Sequence, residues 1–286
     1  MKFLEILKED SKQLVARGAE QIEIGQTLLG RPIYAYEIGC GRPVILAQYA
    51  IHAREHITYF LANLHAIDLL KSLGHGNGTV YIIPVVNIDG VALCLDGVDT
   101  AEYAKENLIK LNGESIDFSL WKANARGVDL NVNFHARWGT GKHNVLHAGS
   151  QNYIGSIPNS EPETRALIDF TKRIMPDFTL SFHCKGEVIY YDFHQELCAK
   201  RRDKRVAKVV SKSTGYKIIP SGKSAGGYKD WCIENLKIPS LTIEVGNDRL
   251  LHPIGREHLP KIWQKTHRIY DDLFKYLRHK KRIDIK

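Results

Sequence analysis

The sequence PVILAQYAIHARE, residues 43–55, joins an apolar run to a histidine and a glutamate. The run Pro43–Ala50 has the length and composition of a buried β-strand. His52 and Glu55 follow it, three residues apart, so both side chains can turn towards one point. They provide two of the three protein ligands that a catalytic zinc site needs. Such a pair also arises often by chance, so its meaning depends on the rest of the chain.

The fold class follows from the alternation of strand-like and helical patterns. Three more short apolar or β-branched runs lie at residues 79–87, 177–184 and 240–247. Apolar residues recur at helical spacing in the segments 57–67, 160–174 and 262–277, and the second of these opens with the capping-box pattern Ser160-Glu-Pro-Glu163. Strands that alternate with helices predict an α/β fold, in which helices cover both faces of a twisted sheet.

Length and composition bound the domain organisation. The chain has 286 residues, 43% of them hydrophobic, without an internal repeat or a break in composition, which predicts one domain over residues 1–286. An N-terminal helix is predicted over residues 1–24, and a basic tail at 278–286. No apolar stretch approaches the roughly 20 residues of a membrane helix, so no membrane partner is expected. The Asn-, Gly- and His-rich segment 90–160 looks irregular, and loops of that length are usually functional.

Cysteines and charge bear on compartment and partners. The five cysteines are scattered without a CxxC pair, and the N-terminus has no long apolar core, so we expect a cytoplasmic protein with free thiols. The formal net charge is +8, and much of it lies in the tail at 278–286. We interpret the tail as a solvated helix end and expect no nucleic-acid partner. Basic residues elsewhere favour an acidic substrate. The sequence leaves the oligomeric state open.

Candidate catalytic residues fall at the carboxyl ends of predicted strands, where open α/β sheets place their functional groups. His52 and Glu55 follow the first strand, His183 ends another, and Glu244 lies near the end of the last. Two histidines and one glutamate form the ligand set of a catalytic zinc that keeps a water in its fourth position. Glu244 remains as a base for that water, because a carboxylate inside an apolar strand needs a partner or a task.

These residues belong to a series of motifs that resembles the zinc carboxypeptidases, the M14 metallopeptidases. The resemblance spans about residues 25–275 and implies a single catalytic domain with a mixed, mostly parallel sheet and one Zn²⁺ per chain. The matching segments are Gly30-Arg-Pro-Ile33, His52-Ala-Arg-Glu55, Ile83-Pro-Val-Val-Asn-Ile-Asp-Gly90, Gly127-Val-Asp-Leu-Asn131, Ser160-Glu-Pro-Glu-Thr164, the His183 strand and Ala225-Gly-Gly-Tyr-Lys-Asp-Trp231.

The resemblance also implies individual roles. The two histidines and Glu55 would bind zinc, and Glu244 would take a proton from the water and pass it to the leaving amine. Asp129 would orient His52, because a ligating histidine usually donates its second N–H to such a group. Lys122 stands where the family commonly has an arginine that stabilises the oxyanion; a lysine supplies the charge without the bidentate fork.

Departures from the family pattern bear on the substrate. In digestive members an arginine follows the position of Asn131, and the pair holds the substrate's C-terminal carboxylate. Here Val132 follows, so strict carboxypeptidase action is not expected. Gly222 stands at the place of the family's mobile active-site tyrosine, and Tyr228 is the nearby residue that could partly substitute in substrate binding.

Two cations are candidates for binding an acidic group of the substrate. Lys229 stands at the position that lines the family's specificity pocket, and Arg54 lies inside the first metal motif. With the motifs at 121–131 and 225–231, they resemble the bacterial γ-D-glutamyl-diamino acid peptidases, which cut the stem peptides of cell-wall peptidoglycan. The implied substrate is an acidic muropeptide, cut between γ-linked D-glutamate and meso-diaminopimelate during wall recycling or sporulation.

Alternatives remain open at this point. The same site would suit a metallocarboxypeptidase for acidic C-terminal residues or an amidohydrolase for small acyl-amino acids; cleavage of a peptide with a blocked C-terminus argues against the carboxypeptidase. The chain could instead be a catalytically inactive muropeptide-binding protein. This alternative would be favoured if the purified protein contained no zinc.

Overall fold

A mixed β-sheet forms the centre of the fold. The computed structural model describes residues 1–73 and 76–283, with side chains through residue 278. Within that range the sheet has eight strands in the order β1-β2-β4-β3-β5-β8-β6-β7. They are β1 (Glu20–Gln26), β2 (Pro32–Cys40), β3 (Val44–Gln48), β4 (Gly78–Ile83), β5 (Phe178–Cys184), β6 (Val188–Tyr190), β7 (Lys217–Ile218) and β8 (Ser240–Val245).

The four strands predicted from the sequence form the middle of the sheet, β4-β3-β5-β8, and each neighbouring pair is parallel. β1 and β2 extend one edge as an antiparallel hairpin, and β6 pairs antiparallel with β8 at the other. Of the outer strands, β1, β6 and β7 were not predicted individually, because β1 is polar and the other two have only three and two residues. The mixed sheet itself is confirmed.

Helices cover both faces of this sheet, as expected. On one face α2, α6, α8 and α9 pack against alternate strand residues such as Ile45 and Ala47, and on the other α1, α3 and α5 pack around Leu46. Burial of a side chain such as Ile45 or Leu46 contributes roughly 1.5–3 kcal/mol. The helices are α1 (Phe3–Ala16), α2 (Ile57–Ser72), α3 (Ile88–Asp96), α4 (Lys105–Leu111), α5 (Pro162–Ile174), α6 (Leu197–Thr214), α7 (Tyr228–Trp231), α8 (Leu259–Thr266) and α9 (Ile269–Ile283).

Three predictions about local structure need correction. The N-terminal helix ends at Ala16, since Gly18 has a φ of 101° and a strand begins at Glu20, so the predicted span 1–24 is too long. The first part of segment 90–160 is helical as far as Leu111, and the irregular loop comes after it.

The predicted capping box of α5 does not form. The helix begins one residue later than a box at Ser160 requires, with Glu161 as its N-cap. The Ser160 hydroxyl donates to Glu161 Oε1 (2.7 Å), while Glu163 accepts the backbone N–H of Leu28 (2.9 Å).

Two further expectations concern the tail and the membrane. The basic tail 278–286 lies, beyond its first residue, outside the described side chains. Among the described residues no helix combines the length and the apolarity that crossing a bilayer demands.

Candidate active site

His52 and Glu55 are brought together by a tight turn after β3. His52 caps a 3₁₀ turn, Ala53–Glu55, in which the N–H of Glu55 donates to the carbonyl of His52 (3.1 Å). Thr58 Oγ1 donates to the carbonyl of Glu55 (2.8 Å) and accepts the N–H of Ala50 (2.9 Å), which ties the turn to the strand. His52 Nδ1 consequently lies 2.9 Å from Glu55 Oε1.

His183 completes this cluster from β5, the parallel neighbour of β3. Its Nδ1 lies 3.1 Å from Glu55 Oε2 and 3.1 Å from His52 Nδ1. The backbone N–H of Cys184 also donates to Glu55 Oε2 (3.1 Å), which orients the carboxylate. Two buried imidazole nitrogens that face each other and a carboxylate, all within 4.8 Å of one another, are a donor set that fits a Zn²⁺ ion with one position left open.

The charges of this cluster are set by burial and by neighbours. Burial raises the pKa of Glu55, but the two histidines outweigh it and hold that pKa well below its ordinary value. Burial lowers the pKa of His52, but Glu55 and Asp129 outweigh it, so the net direction is upward. Glu55 therefore carries its negative charge.

Asp129 stands behind His52 and connects it to Lys122. Its Oδ1 lies 3.2 Å from His52 Nε2, and its Oδ2 lies 2.7 Å from Lys122 Nζ. The backbone N–H groups of Asn131 and Asn152 also donate to the Asp129 carboxylate, at 3.1 and 3.2 Å. Burial opposes ionisation of Asp129, but Lys122 and His52 outweigh it and hold its pKa far below the ordinary value. Asp129 is therefore a buried anion placed to orient the ring of His52.

Glu244 lies on β8 directly beside His183, because the two residues are partners in the parallel register of β5 and β8. Adjacent strands lie about 4.8 Å apart, and paired residues point to the same face. The half-buried Glu244 carboxylate makes no hydrogen bond within the described part of the chain. Burial and the nearby Glu55 raise the pKa of Glu244 to about 7.

His52, Lys122 and Glu244 line a cavity of about 410 Å³. Close backbone contact shapes its wall: Gly226 has a φ of 83°, and a Cβ there would lie 2.7 Å from the carbonyl oxygen of Val132, so the motif requires glycine. The cavity lining includes His52, Lys122, Asn131, Val132, Lys142, Asn152, Tyr190, Lys223, Lys229, Asp230 and Glu244.

Lys229 lines this cavity but is neither exposed nor a free cation. Its side chain is 6% exposed, and its Nζ lies 2.5 Å from Asp230 Oδ1. The ammonium also donates to the backbone carbonyl of Asp192 (2.9 Å) and lies 5.5 Å from the ring centroid of Phe193. Asp230 accepts the N–H of Gly227 with its other oxygen (3.2 Å).

A protein-family model described as zinc carboxypeptidase matches residues 2–268. The chain belongs to the zinc carboxypeptidase family. Membership implies one zinc per chain, and the His–Glu–His cluster fits that ion.

Known relatives agree with this assignment. The chain is 34% identical over 257 residues to gamma-D-glutamyl-L-diamino acid endopeptidase 1 of Lysinibacillus sphaericus, an alignment that covers 85% of this chain and 64% of that protein. The chain therefore spans about two thirds of the length of this relative.

Solved structures agree in fold. Bovine thrombin-activatable fibrinolysis inhibitor, in complex with tick carboxypeptidase inhibitor, superimposes with a TM-score of 0.80 at 20% identity, over 98% of both chains. Murein-tripeptide amidase MpaA from Escherichia coli O157 gives a TM-score of 0.60 at 23% identity, over 91% of this chain and 95% of that one. The predicted zinc-carboxypeptidase-like fold is confirmed.

Within this family framework, two predicted substrate residues lie away from the cavity lining. Tyr228 is fully buried, and its hydroxyl hydrogen-bonds to Thr171 Oγ1 (2.8 Å) on α5. It therefore points into the core, and the expectation that it substitutes for the family's mobile tyrosine is corrected. Arg54 is half-buried and donates to Gln151 Oε1 (3.1 Å). Asn131 does reach the cavity, where its Oδ1 accepts the N–H of Tyr228 (3.1 Å).

Four residues that line the cavity were not predicted as site residues from the sequence. Asp230 belongs to the motif Ala225-Gly-Gly-Tyr-Lys-Asp-Trp231 but had no predicted role of its own. Tyr190 is the last residue of β6 and pairs with Thr242, which shares a face of the sheet with Glu244. The Tyr190 side chain therefore lies on the same face as that carboxylate. Lys142 and Lys223 lie in Gly- and Ser-containing loops that the hydrogen bond from Lys142 N to Lys223 O (3.1 Å) joins. The only available signal for these lysines was a basic residue in a glycine-rich loop.

Proposed function

We propose that this chain is a zinc metallopeptidase that hydrolyses the γ-D-glutamyl–diaminopimelate amide bond of peptidoglycan stem peptides. One observation carries the proposal: the His–Glu–His donor set and the carboxylate of Glu244 lie together beside a single cavity with a basic lining, and His52 and Glu244 reach into that cavity. The relative from Lysinibacillus sphaericus is named for γ-D-glutamyl-L-diamino acid peptides, and its 34% identity over 85% of this chain supports the same bond here.

The residues divide the chemical work. His52, Glu55 and His183 would hold the ion, and Asp129 would fix the ring of His52. Bound zinc supplies a Lewis acid for the scissile carbonyl and for a water molecule. Glu244 would accept a proton from the attacking water and return it to the leaving amine. This role suits a carboxylate that reaches the cavity beside His183 without a hydrogen bond, among the described residues, to hold it elsewhere.

Lys122 is proposed to stabilise the developing oxyanion. Its Nζ donates to Asp129 Oδ2 (2.7 Å) and to Asn152 Oδ1 (3.4 Å) and faces the cavity, so one N–H remains for a carbonyl oxygen. The pair with Asp129 also fixes where the ammonium stands. Because Lys122 is a point charge rather than a bidentate fork, it binds the oxyanion without constraining its plane.

The cavity mouth favours an acidic peptide. The exposed Lys142 and Lys223 form no ion pair within the described part of the chain, and their loops are hydrogen-bonded to each other. Uncompensated cations at a cleft attract anionic substrates. Val132 places no charge beside Asn131, so the terminal-carboxylate clamp of digestive relatives is incomplete, which suits a peptide that continues beyond the diamino acid.

Incubation with defined muropeptides, read by mass spectrometry, tests the proposal. Zinc-loaded enzyme is expected to release a product cut between γ-D-glutamate and diaminopimelate, also from a peptide with a blocked C-terminus. Glu244→Gln should retain zinc but lose at least about 10²-fold in turnover, as removal of a general base does. Glu106→Gln, an exposed glutamate on α4, is the matched control.

The outcomes separate the candidate activities. Cleavage only of free acidic C-terminal residues would identify a carboxypeptidase instead. No cleavage by zinc-loaded protein that still binds the muropeptide would identify a binding protein.

We also propose where this reaction takes place. Scattered cysteines and an acidic small substrate suit a bacterial cytoplasm and imported wall fragments, in recycling or in sporulation. Detection of the activity in a cytoplasmic fraction, rather than in the wall fraction, tests this location.

A further inference from the structure

The wall of the cavity carries two opposite charges side by side. The Lys229 and Asp230 side chains are 6% and 3% exposed, and both line the cavity. Lys229 Nζ lies 2.5 Å from Asp230 Oδ1, so the pair adds no net charge to the site. The expectation that Lys229 acts as a free cation for an acidic group therefore needs revision.

The hydrogen-bond capacity of this pair is only partly used. An ammonium has three N–H donors, and Lys229 gives one to Asp230 and one to the carbonyl of Asp192. An ionised carboxylate has about four acceptor positions, and Asp230 uses one on Lys229 and one on the N–H of Gly227. One N–H donor of Lys229 and at least one acceptor position of Asp230 thus remain for a ligand, next to each other.

The charge balance of the pair restricts which ligands can bind to it. A lone carboxylate would give this buried site two anions and one cation, and a lone ammonium would give it two cations and one anion. Either leaves a charge uncompensated beside two side chains that are only 6% and 3% exposed, which is costly. A ligand that carries both an ammonium and a carboxylate keeps the net charge of the site at zero and can bind both Asp230 and Lys229.

We propose that Lys229 and Asp230 together bind a substrate side chain that ends in an α-amino-acid group. The ammonium of that group lies against Asp230, and its carboxylate lies against Lys229. Both groups are attached to one carbon, so their separation matches the close spacing of Lys229 Nζ and Asp230 Oδ1. The inference rests on the proposed function, since the distal end of diaminopimelate is such a group.

Three γ-D-glutamyl dipeptides test the inference, and they differ only in their second residue. It is meso-diaminopimelate, 2-aminopimelate, which lacks the distal ammonium, or lysine, which lacks the distal carboxylate. Calorimetric titration into zinc-loaded Glu244→Gln protein measures binding without turnover. We expect the diaminopimelate ligand to bind at least about tenfold more tightly than either analogue, because each loses one charge-assisted hydrogen bond. A smaller ratio for either analogue overturns the inference.

A pair of variants connects the selectivity to this site. The double variant Lys229→Met/Asp230→Asn removes both buried charges together, so no charge is left unpaired and the protein should fold. Its preference for the diaminopimelate ligand should fall from tenfold to about threefold or less. Lys208→Met, an exposed lysine on α6, is the control that should keep the preference. A preference that survives the double substitution overturns the inference.

Hydrolysis by the wild-type enzyme is measured separately with the same three dipeptides. If wild-type enzyme cleaves them without the binding order, the inference fails and the proposed peptidase stands. If the binding order holds but the wild-type enzyme cleaves none of the dipeptides, the inference stands and the proposed peptidase activity fails.

Discussion

Replacement of Asp129 by Asn is expected to weaken zinc binding and to destabilise the fold, for two separable reasons. The substitution keeps an oxygen for His52 Nε2, which lies 3.2 Å from Asp129 Oδ1. It places an NH₂ group where Oδ2 now faces Lys122 Nζ at 2.7 Å and the N–H of Asn152 at 3.2 Å. Both of those neighbours are hydrogen-bond donors, so the new NH₂ group could accept from neither of them. The Lys122 ammonium would also lose its counter-charge.

The structure gives a magnitude for each effect. Removal of one partner from a buried ion pair costs roughly 3–5 kcal/mol. The Lys122 side chain is 15% exposed, so water recovers part of this and we expect a loss of about 2–3 kcal/mol in the free energy of unfolding. A neutral amide behind His52 in place of an anion should reduce zinc affinity by roughly 10- to 100-fold, or about 1.4–2.7 kcal/mol.

The double variant Lys122→Met/Asp129→Asn separates the two effects. It removes the stranded ammonium, so stability should return to within about 1 kcal/mol of the wild type, while zinc affinity stays low. Urea unfolding of zinc-free protein measures stability, and competition with a chromophoric chelator measures affinity. The reasoning would be refuted by wild-type zinc affinity in Asp129→Asn, or by recovery of affinity in the double variant.

Two further predictions concern groups outside the zinc cluster. Burial lowers the pKa of His65 to about 3, with Nδ1 2.7 Å from the Tyr49 hydroxyl. The unfolded chain takes up this proton near pH 6.5, so the contribution of His65 is intact above that pH and falls by about 1.4 kcal/mol per pH unit down to about pH 3. His65→Gln should remove that slope from urea-unfolding free energies between pH 4 and 6, and an unchanged slope contradicts a neutral buried His65. Tyr228→Phe loses the hydrogen bond to Thr171 and should cost about 1 kcal/mol of stability with kcat within twofold of wild type. A large loss of kcat would instead place the hydroxyl of Tyr228 at the substrate.

The middle of the fold was predictable because its signals are periodic. Four apolar runs gave the parallel strands β4, β3, β5 and β8, and the strand-end rule put His183 and Glu244 at one edge. The turn from His52 to Glu55 is equally local, since a spacing of three residues closes it. Elements without a periodic signal were missed or misplaced, namely the polar β1, the short β6 and the start of α5, whose polar residues bond to distant partners rather than to the helix.

Specificity residues were less predictable, because no local pattern fixes their direction. Tyr228 and Lys229 are neighbours in one motif, yet one hydroxyl enters the core and one ammonium enters the cavity wall. Lys142 and Lys223 are 81 residues apart and meet only through a hydrogen bond between two loops.

The sequence by itself determined the chemistry of this protein: the donor residues of a zinc site, the glutamate beside them and the sheet that supports both. It could do so because strands and tight turns repeat with fixed periods, which carry side-chain direction in the sequence itself. Only the tertiary structure decided which charges remain free to bind substrate. Lys229 counts as a cation in the sequence, but folding buries it against Asp230, and charges that neutralise each other in a buried site act on a ligand as a pair.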